Sequence, residues 1–82
     1  MPADKQSAND ALDAFRANVR RLRQERGLTQ ERLAEQAELN LTDVGRIERG
    51  ERDPGVRTVA RLADGLGVET AALFEGVSRR RK

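Results

Sequence analysis

The chemistry available to this 82-residue chain rests on arginine, which supplies 14 of its 16 basic residues. A guanidinium matches the paired acceptors of a phosphate or of a guanine edge, so the composition favours recognition of such groups. The chain has no His and no Cys, which removes the usual general bases, thiolate nucleophiles and zinc ligands. The carboxylates are scattered among the arginines and no Gly-rich phosphate loop occurs. We therefore predict no enzyme, no metal site and no cofactor.

The net charge of +2 depends on the end of the chain, where Arg79, Arg80, Arg81 and Lys82 contribute four positive charges. The other 78 residues carry 12 basic and 14 acidic side chains, hence −2. A basic isoelectric point set by a tail does not identify a nucleic-acid-binding face in the folded part. The tail itself could reach DNA, although such runs are more often solvated ends.

Apolar residues recur at the spacing of helices. Leu12, Phe15, Val19 and Leu22 are separated by three, four and three residues, which is one helical face, and Gly27 supplies its end. Thr29 and Asn40 are side-chain types that cap helices, with Asp43 as a possible second capping group. We predict that four further helices follow, over about residues 30–37, 41–49, 56–66 and 70–74.

Five short helices without an alternating strand pattern predict an all-α fold, a compact orthogonal bundle over residues 11–77. Residues 1–10 are expected to form a flexible N-terminal arm and residues 78–82 a flexible basic tail. No stretch resembles a signal peptide or approaches the roughly 20 apolar residues of a membrane span. We therefore expect a cytoplasmic protein without membrane contact.

Only residues 38–40 separate the second and third helices, and the small Ala34 lies where two helices would cross closely. A short helix, a tight turn and a second short helix is the helix-turn-helix pattern. From Val19 to Phe74 the chain resembles the helix-turn-helix domain of the Xre family, which includes the phage repressor and Cro proteins. The resemblance rests on Gly27-Leu28-Thr29-Gln30, Arg46-Ile47-Glu48-Arg49-Gly50 and Leu66-Gly67-Val68, together with Val19, Leu22, Arg23, Leu33, Ala34, Pro54, Thr58, Leu62, Ala63, Leu73 and Phe74.

The resemblance implies a lambda-repressor-like domain that places its third helix in the major groove of double-stranded DNA, on a palindromic operator, as a small transcriptional regulator. The candidate base contacts are Leu41, Thr42, Asp43, Gly45 and Arg46. Arg46 is the strongest of them, because an arginine fork matches the two acceptors of guanine. Leu41 could instead belong to the core, and Asp43 could instead cap the helix.

Phosphate contacts are expected at the helix starts and in the loop after the third helix. The candidates are Thr29, Gln30, Asn40, Arg49, Arg52 and Arg57. Because Glu48, Glu51 and Asp53 lie among these arginines, we expect a modest salt dependence. The resemblance also pairs Arg23 with Glu48 in a partly buried ion pair. The sequence departs from the family at Glu38, where a Gly is frequent in the turn, and at Gly45 inside the third helix.

Members of the family usually bind as two-fold dimers, so the resemblance implies a homodimer. Leu73, Phe74 and Val77 are the candidate dimer interface, with Phe74 the one most expected to pack internally. The alternative is that the last helix only closes the core of a monomer. A protein-interaction or antitoxin-type module is the alternative function. The short extensions on either side favour a stand-alone regulator, such as a restriction-modification controller or a phage-type repressor.

Overall fold

Four α-helices and one 3-10 helix make up the part of the chain that the computed structural model describes, the backbone of residues 5–77 and the side chains of residues 8–77. The elements are α1 (Lys5–Glu25), α2 (Gln30–Ala37), α3 (Leu41–Glu48), α4 (Val56–Leu66) and a 3-10 helix, Thr70–Phe74. No strand occurs in residues 5–77, which confirms the all-α prediction. The bounds of α2 and α4 agree with the sequence analysis, and α3 ends at Glu48 instead of Arg49.

The predicted last short helix is present as a 3-10 helix, so the described residues contain four α-helices instead of five helices of one kind. Its hydrogen bonds span three residues, from the Ala72 N–H to the Glu69 carbonyl (3.0 Å) and from the Glu75 N–H to the Ala72 carbonyl (3.4 Å). Such tighter bonding is the usual form of a helical piece this short. The left-handed Gly76 follows at φ 81° and ends the segment before a longer α-helix could develop.

Helix α1 begins earlier than the sequence analysis expected. Lys5 to Asp10, assigned to a flexible arm, form the first turns of α1. Ala8, Ala11 and Leu12 continue the apolar stripe toward the N-terminus at the i, i+3, i+4 spacing, and no Gly or Pro interrupts residues 5–25. The rest of the predicted arm, residues 1–4, and the basic tail, residues 78–82, lie outside the described residues.

A residue in the left-handed conformation follows each of the four α-helices, and after α2 this residue is Glu38 instead of a glycine. Glu38 adopts φ 56°, ψ 44°, and the Leu39 N–H donates to the Ala34 carbonyl at 2.8 Å. This is the Schellman type of helix end, which usually places Gly at the left-handed position. A residue with a Cβ there costs on the order of 1 kcal/mol. The Glu38 carbonyl accepts a hydrogen bond from Arg61 Nη1 (3.3 Å), which ties the turn to α4.

The core lies between the five elements and takes apolar side chains from each of them. Its largest fully buried side chains are Val19, Leu33, Val44, Ile47, Leu62 and Leu73. Leu73 is 0% exposed, so its assignment to a dimer interface is wrong, and the 3-10 helix uses it to close the core. The Asn18 amide holds this end of the chain by donating to the carbonyls of Leu73 (2.9 Å) and Glu75 (2.8 Å).

Helices α2 and α4 pack closely because Gly65 has no side chain. A Cβ built at Gly65 would lie 2.9 Å from the backbone nitrogen of Ala37 and 2.9 Å from its Cβ. Contacts this short force a backbone to shift. The small residues Ala37 and Gly65 therefore fix the distance between α4 and the start of the helix-turn-helix turn.

We predict that Gly65→Ala lowers the free energy of unfolding by about 1–3 kcal/mol, because it overpacks this crossing. Helix propensity alone would give a gain of roughly 0.5–1 kcal/mol for Gly to Ala, so the sign separates the two effects. Urea denaturation measures the change in the free energy of unfolding. Ala60→Gly, at an exposed position of the same helix, is the control, because it measures the helix-propensity contribution without overpacking. A stabilised Gly65→Ala would contradict the close crossing.

Candidate nucleic-acid interface

Residues 29–48 form two short helices joined by a tight turn, and each helix begins with a side-chain cap. The Thr29 hydroxyl accepts from the Arg32 N–H (3.0 Å) at the start of α2. Asn40 Oδ1 accepts from the Thr42 N–H (2.8 Å) at the start of α3. These bonds leave the Thr29 hydroxyl proton and the Asn40 amide protons as donors. Both predicted phosphate contacts therefore keep a group that can bind an anion.

Helix α3 divides cleanly into a buried and an exposed face. Val44 and Ile47 are fully buried in the core, whereas Thr42 and Arg46 are exposed. Leu41 is 43% exposed, so of the two alternatives for this residue the structure supports a surface position. An exposed leucine beside Thr42 suits contact with a thymine methyl group.

Asp43 neither caps α3 nor stands free on its surface. Its Oδ1 accepts a hydrogen bond from Arg52 Nη1 at 2.9 Å, while Asn40 provides the cap. The cap alternative for Asp43 is therefore wrong. The pair joins the first turn of α3 to the loop that follows the helix. It engages Asp43, a predicted base contact, and Arg52, a predicted phosphate contact, with each other.

Gly45 is not available as a base contact, because it is buried beneath another side chain. The Nη1 atom of Arg49 lies 3.0 Å from the position that a Cβ of Gly45 would take, and Gln30 Oε1 lies 3.7 Å from it. Arg49 in turn binds Glu51 through two hydrogen bonds, Nε to Oε2 (3.0 Å) and Nη2 to Oε1 (3.2 Å). The prediction of Gly45 as a base contact is corrected on this ground.

The Glu48 carboxylate joins three elements in what we call the Glu48 cluster, formed by Arg23, Gln30 and Glu48. It accepts from Arg23 Nε (2.6 Å), Arg23 Nη2 (3.0 Å) and Gln30 Nε2 (3.0 Å). The side chains of Arg23 and Glu48 are only 12% and 3% exposed. The ion pair implied by the resemblance is therefore present. It also orients Gln30 at the N-terminus of α2, because the amide nitrogen is committed to the carboxylate.

Two contributors to this region were missed in the sequence analysis. Arg16 Nη1 donates to the Glu48 carbonyl at 3.3 Å, and Arg16 also packs against Gly50, where a Cβ would lie 2.8 Å from Arg16 Cδ. The position of Arg16, seven residues before Arg23, could have indicated this contact, because it places both arginines on one face of α1. The other contributor is Glu51, the partner of Arg49. Helical spacing could not indicate this pair, because Glu51 lies beyond the end of α3.

The arginines of the predicted interface differ in whether a carboxylate of the protein already binds them. Within the described residues, no hydrogen bond or ion pair engages the side chain of Arg46 or Arg57, and both side chains are exposed. Arg49 and Arg52 are held by Glu51 and Asp43. Beside Leu41, a shallow depression lined by Arg23, Thr29, Gln30 and Glu31 opens at the N-terminus of α2. Backbone N–H groups at a helix start favour an anion at such a place.

No helix in residues 5–77 is long and apolar enough to cross a membrane. The same part of the chain contains no group of carboxylates arranged to hold a metal ion.

Comparison with known proteins identifies the arrangement. The family model for the helix-turn-helix domain matches residues 14–75. The uncharacterized transcriptional regulator y4dJ of Sinorhizobium fredii, of helix-turn-helix type, is 40% identical over 57 residues, covering 70% of this chain and 74% of y4dJ. The chain belongs to the helix-turn-helix family of transcriptional regulators. The immunity repressor of Bacillus phage phi105 is a further relative, 36% identical over 55 residues, and the match spans only 38% of that repressor.

Solved structures of this helix-turn-helix family agree with the fold. The restriction-modification controller protein C.AhdI of Aeromonas hydrophila superposes with a TM-score of 0.75 at 38% identity, over 77% of this chain and 96% of C.AhdI. The controller protein C.Esp1396I, solved as a tetramer in complex with its natural 35 base-pair operator, gives 0.75 at 30% identity over 82% of this chain and 88% of that protein. Both resemblances cover the region that contains α2 and α3.

We predict that Glu48→Ala lowers the free energy of unfolding by about 3–5 kcal/mol, because it leaves the Arg23 guanidinium largely buried without its carboxylate. Thermal unfolding followed by circular dichroism measures the effect. Glu35→Ala is the matched control, since Glu35 forms an exposed pair with Arg32 (2.6 Å) and such pairs contribute about 0–1 kcal/mol. Equal losses for the two variants would contradict a special role of the Glu48 cluster.

Proposed function

We propose that this protein is a transcriptional regulator that binds specific sequences of double-stranded DNA by placing α3 in the major groove. The observation that carries the proposal is the combination of an exposed α3 face, Leu41, Thr42 and Arg46, with a buried cluster that holds the helix from behind. A recognition helix must present side chains outward and must not shift when they meet DNA. The exposed face of α3 meets the first requirement, and the buried face meets the second.

Arg46 is the residue we assign to base reading. Its side chain is exposed on α3 and has no internal hydrogen bond or ion pair in the described part of the chain, so DNA can bind it without breaking a contact. A bidentate arginine–guanine contact contributes roughly 1–3 kcal/mol of discrimination between bases. Thr42, on the same exposed face, supplies a methyl group and a hydroxyl for a neighbouring base pair, and Leu41 a purely apolar contact.

Phosphate binding is assigned to the N-terminus of α2 and to the start of α4. Thr29 and Gln30 stand where the first backbone N–H groups of α2 face outward, and the helix dipole favours an anion there. Asn40, at the start of α3, keeps its amide protons as donors. Arg57, in the first turn of α4, adds an uncommitted guanidinium. These contacts fix the register of the protein on DNA, while the residues of α3 provide sequence preference.

Selection of bound duplexes from a random pool tests the assignment. We expect an enriched palindrome, because two copies related by a two-fold axis read the same half-site twice. Arg46→Ala should lose the preference at one position of each half-site, with the discrimination there falling about tenfold or more. Arg20→Ala, an exposed arginine on α1, should leave the enriched sequence unchanged. Failure to enrich any sequence at low salt would favour a protein-interaction module instead.

A second copy of the chain is proposed to bind the apolar groove at the start of α4. Val56 is 87% exposed and Phe74 is 44% exposed. Together with Leu12, Phe15, Pro54 and Val59 they line one continuous groove between α1, α4 and the 3-10 helix. The Phe74 ring packs on Phe15 with centroids 5.4 Å apart. It therefore contributes to packing within the monomer and also to the exposed apolar surface. This groove replaces Leu73 in the proposed interface. The half-buried Val77, which does not line the groove, remains a separate proposed contact.

Sedimentation equilibrium tests the proposed interface. Val56→Asp should weaken self-association, because a carboxylate replaces the most exposed apolar side chain of the groove. An acidic residue in the first turn of a helix is favourable for the helix itself, so α4 should still form. Ala71→Asp, at an exposed position of the 3-10 helix outside the groove lining, is the control. A wild type that remains monomeric at high concentration, both free and on DNA, would defeat the dimer proposal.

A further inference from the structure

The arginine that follows α3 is held in a fixed position on the proposed DNA-binding surface. Glu51 accepts from Arg49 Nε at 3.0 Å and from Arg49 Nη2 at 3.2 Å, a two-point contact along one edge of the guanidinium. Both side chains remain more than half exposed. The opposite edge, which carries Nη1, makes no hydrogen bond to another described residue and can still bind an anion.

The chain brings these two side chains together through the turn that ends α3. Gly50 takes the left-handed conformation at φ 75°. The Gly50 N–H donates to the Ile47 carbonyl (3.0 Å), and the Glu51 N–H donates to the Arg46 carbonyl (2.9 Å). This pair of bonds is the Schellman helix end. It turns the backbone so that the residues on either side of Gly50 point to the same side.

Gly45 provides the place where the guanidinium rests. Arg49 Nη1 lies 3.0 Å from the position of a Cβ on Gly45, and the same position is 3.7 Å from Gln30 Oε1. A side chain at residue 45 would have to displace the guanidinium. The free edge of Arg49 therefore lies over α3 and beside Gln30, at the N-terminus of α2 to which we assign a phosphate contact.

Charge stabilises the arrangement, and the positive charge of Arg46 also acts on Glu51. The hydrogen bonds from Arg49 lower the pKa of the Glu51 carboxyl, and the same bonds, together with the charge of Glu51, raise the pKa of Arg49. Both groups are therefore fully charged at neutral pH. Glu51 is the one carboxylate in hydrogen-bond contact with the Arg49 guanidinium among the residues that the structure describes.

We propose that Glu51 is a specificity-determining positioning residue that confines Arg49 to one place, where a phosphate reaches it only when α3 is seated in the major groove in one register. The inference rests on the proposed DNA-binding function. In that register a phosphate at the N-terminus of α2 binds the free edge of Arg49 while the Glu51 pair stays intact. On unrelated DNA, which is bound loosely and almost entirely through phosphates, Arg49 has to leave Glu51 to reach a phosphate.

The test compares the selected duplex with a scrambled duplex of the same length and composition, by fluorescence anisotropy across a range of salt concentrations. For Glu51→Gln we expect binding to the scrambled duplex to tighten about two- to fivefold, the range that exposed ion pairs contribute. Binding to the selected duplex should change by less than that, so the ratio of affinities falls. The salt dependence on scrambled DNA should steepen by up to about one unit of slope.

A double-mutant cycle separates the proposed role from simple loss of a negative charge. In an Arg49→Ala background, Glu51→Gln should no longer change the affinity ratio, because Glu51 acts through Arg49. Glu75→Gln is the matched control, since Glu75 forms a comparable exposed pair with Arg21 (3.3 Å) outside the helix-turn-helix, and it should leave the ratio unchanged.

Three results would overturn the inference while leaving the proposed function intact. They are no change in either affinity in Glu51→Gln, equal tightening on both duplexes, which also leaves the affinity ratio unchanged, and an effect that persists without Arg49. If the wild type does not distinguish the two duplexes at all, the proposed function itself fails.

Discussion

The rest of the structure depends on a carboxylate that is buried with its charge. Glu48 is 4% exposed, and an isolated carboxylate in such a position would cost several kcal/mol. Two nitrogens of Arg23 and one of Gln30 satisfy it, and Arg23 donates its remaining terminal nitrogen, Nη1, to the Leu28 carbonyl (2.8 Å). Because these partners come from α1 and from the start of α2, the helix that carries Glu48 can take only one position. Because the cost of desolvating both charges offsets much of their attraction, the pair as a whole provides orientation more than net stability, while removal of one partner alone strands the other charge.

The same geometry explains why a weakly charged domain can present a DNA-binding surface. Arg49 and Arg52 are each balanced by a carboxylate of their own region, whereas Arg46 and Arg57 remain available. Electrostatic attraction to any DNA is thereby reduced, and the contacts that remain strong are those whose position α3 determines. In this account sequence preference arises from which arginines are left unpaired and where the paired ones are held, more than from the total positive charge.

Helix positions and the Arg23–Glu48 pair could be predicted from the sequence, because apolar periodicity, capping residues and family motifs are local signals. The predictions that failed depend on packing between distant segments. Leu73 and Phe74 are adjacent apolar residues. The 3-10 helix, held by Asn18 at the carbonyls of Leu73 and Glu75, buries Leu73 and leaves Phe74 44% exposed. Helical spacing alone places Gly45 at the surface, but Arg49 folds back over it. The start of α1 was missed because its first turns are largely polar.

The central claim is that α3, held by the Glu48 cluster, is the surface that meets DNA. Titration of the isotope-labelled protein with its selected duplex, followed by backbone amide chemical shifts, tests this most directly. The account predicts the largest changes at residues 29–32 and 40–46 and a further change at Arg57, with the groove residues Val56, Val59 and Ala60 affected only through self-association. Changes concentrated at the groove, with residues 40–46 unperturbed at saturation, would contradict it.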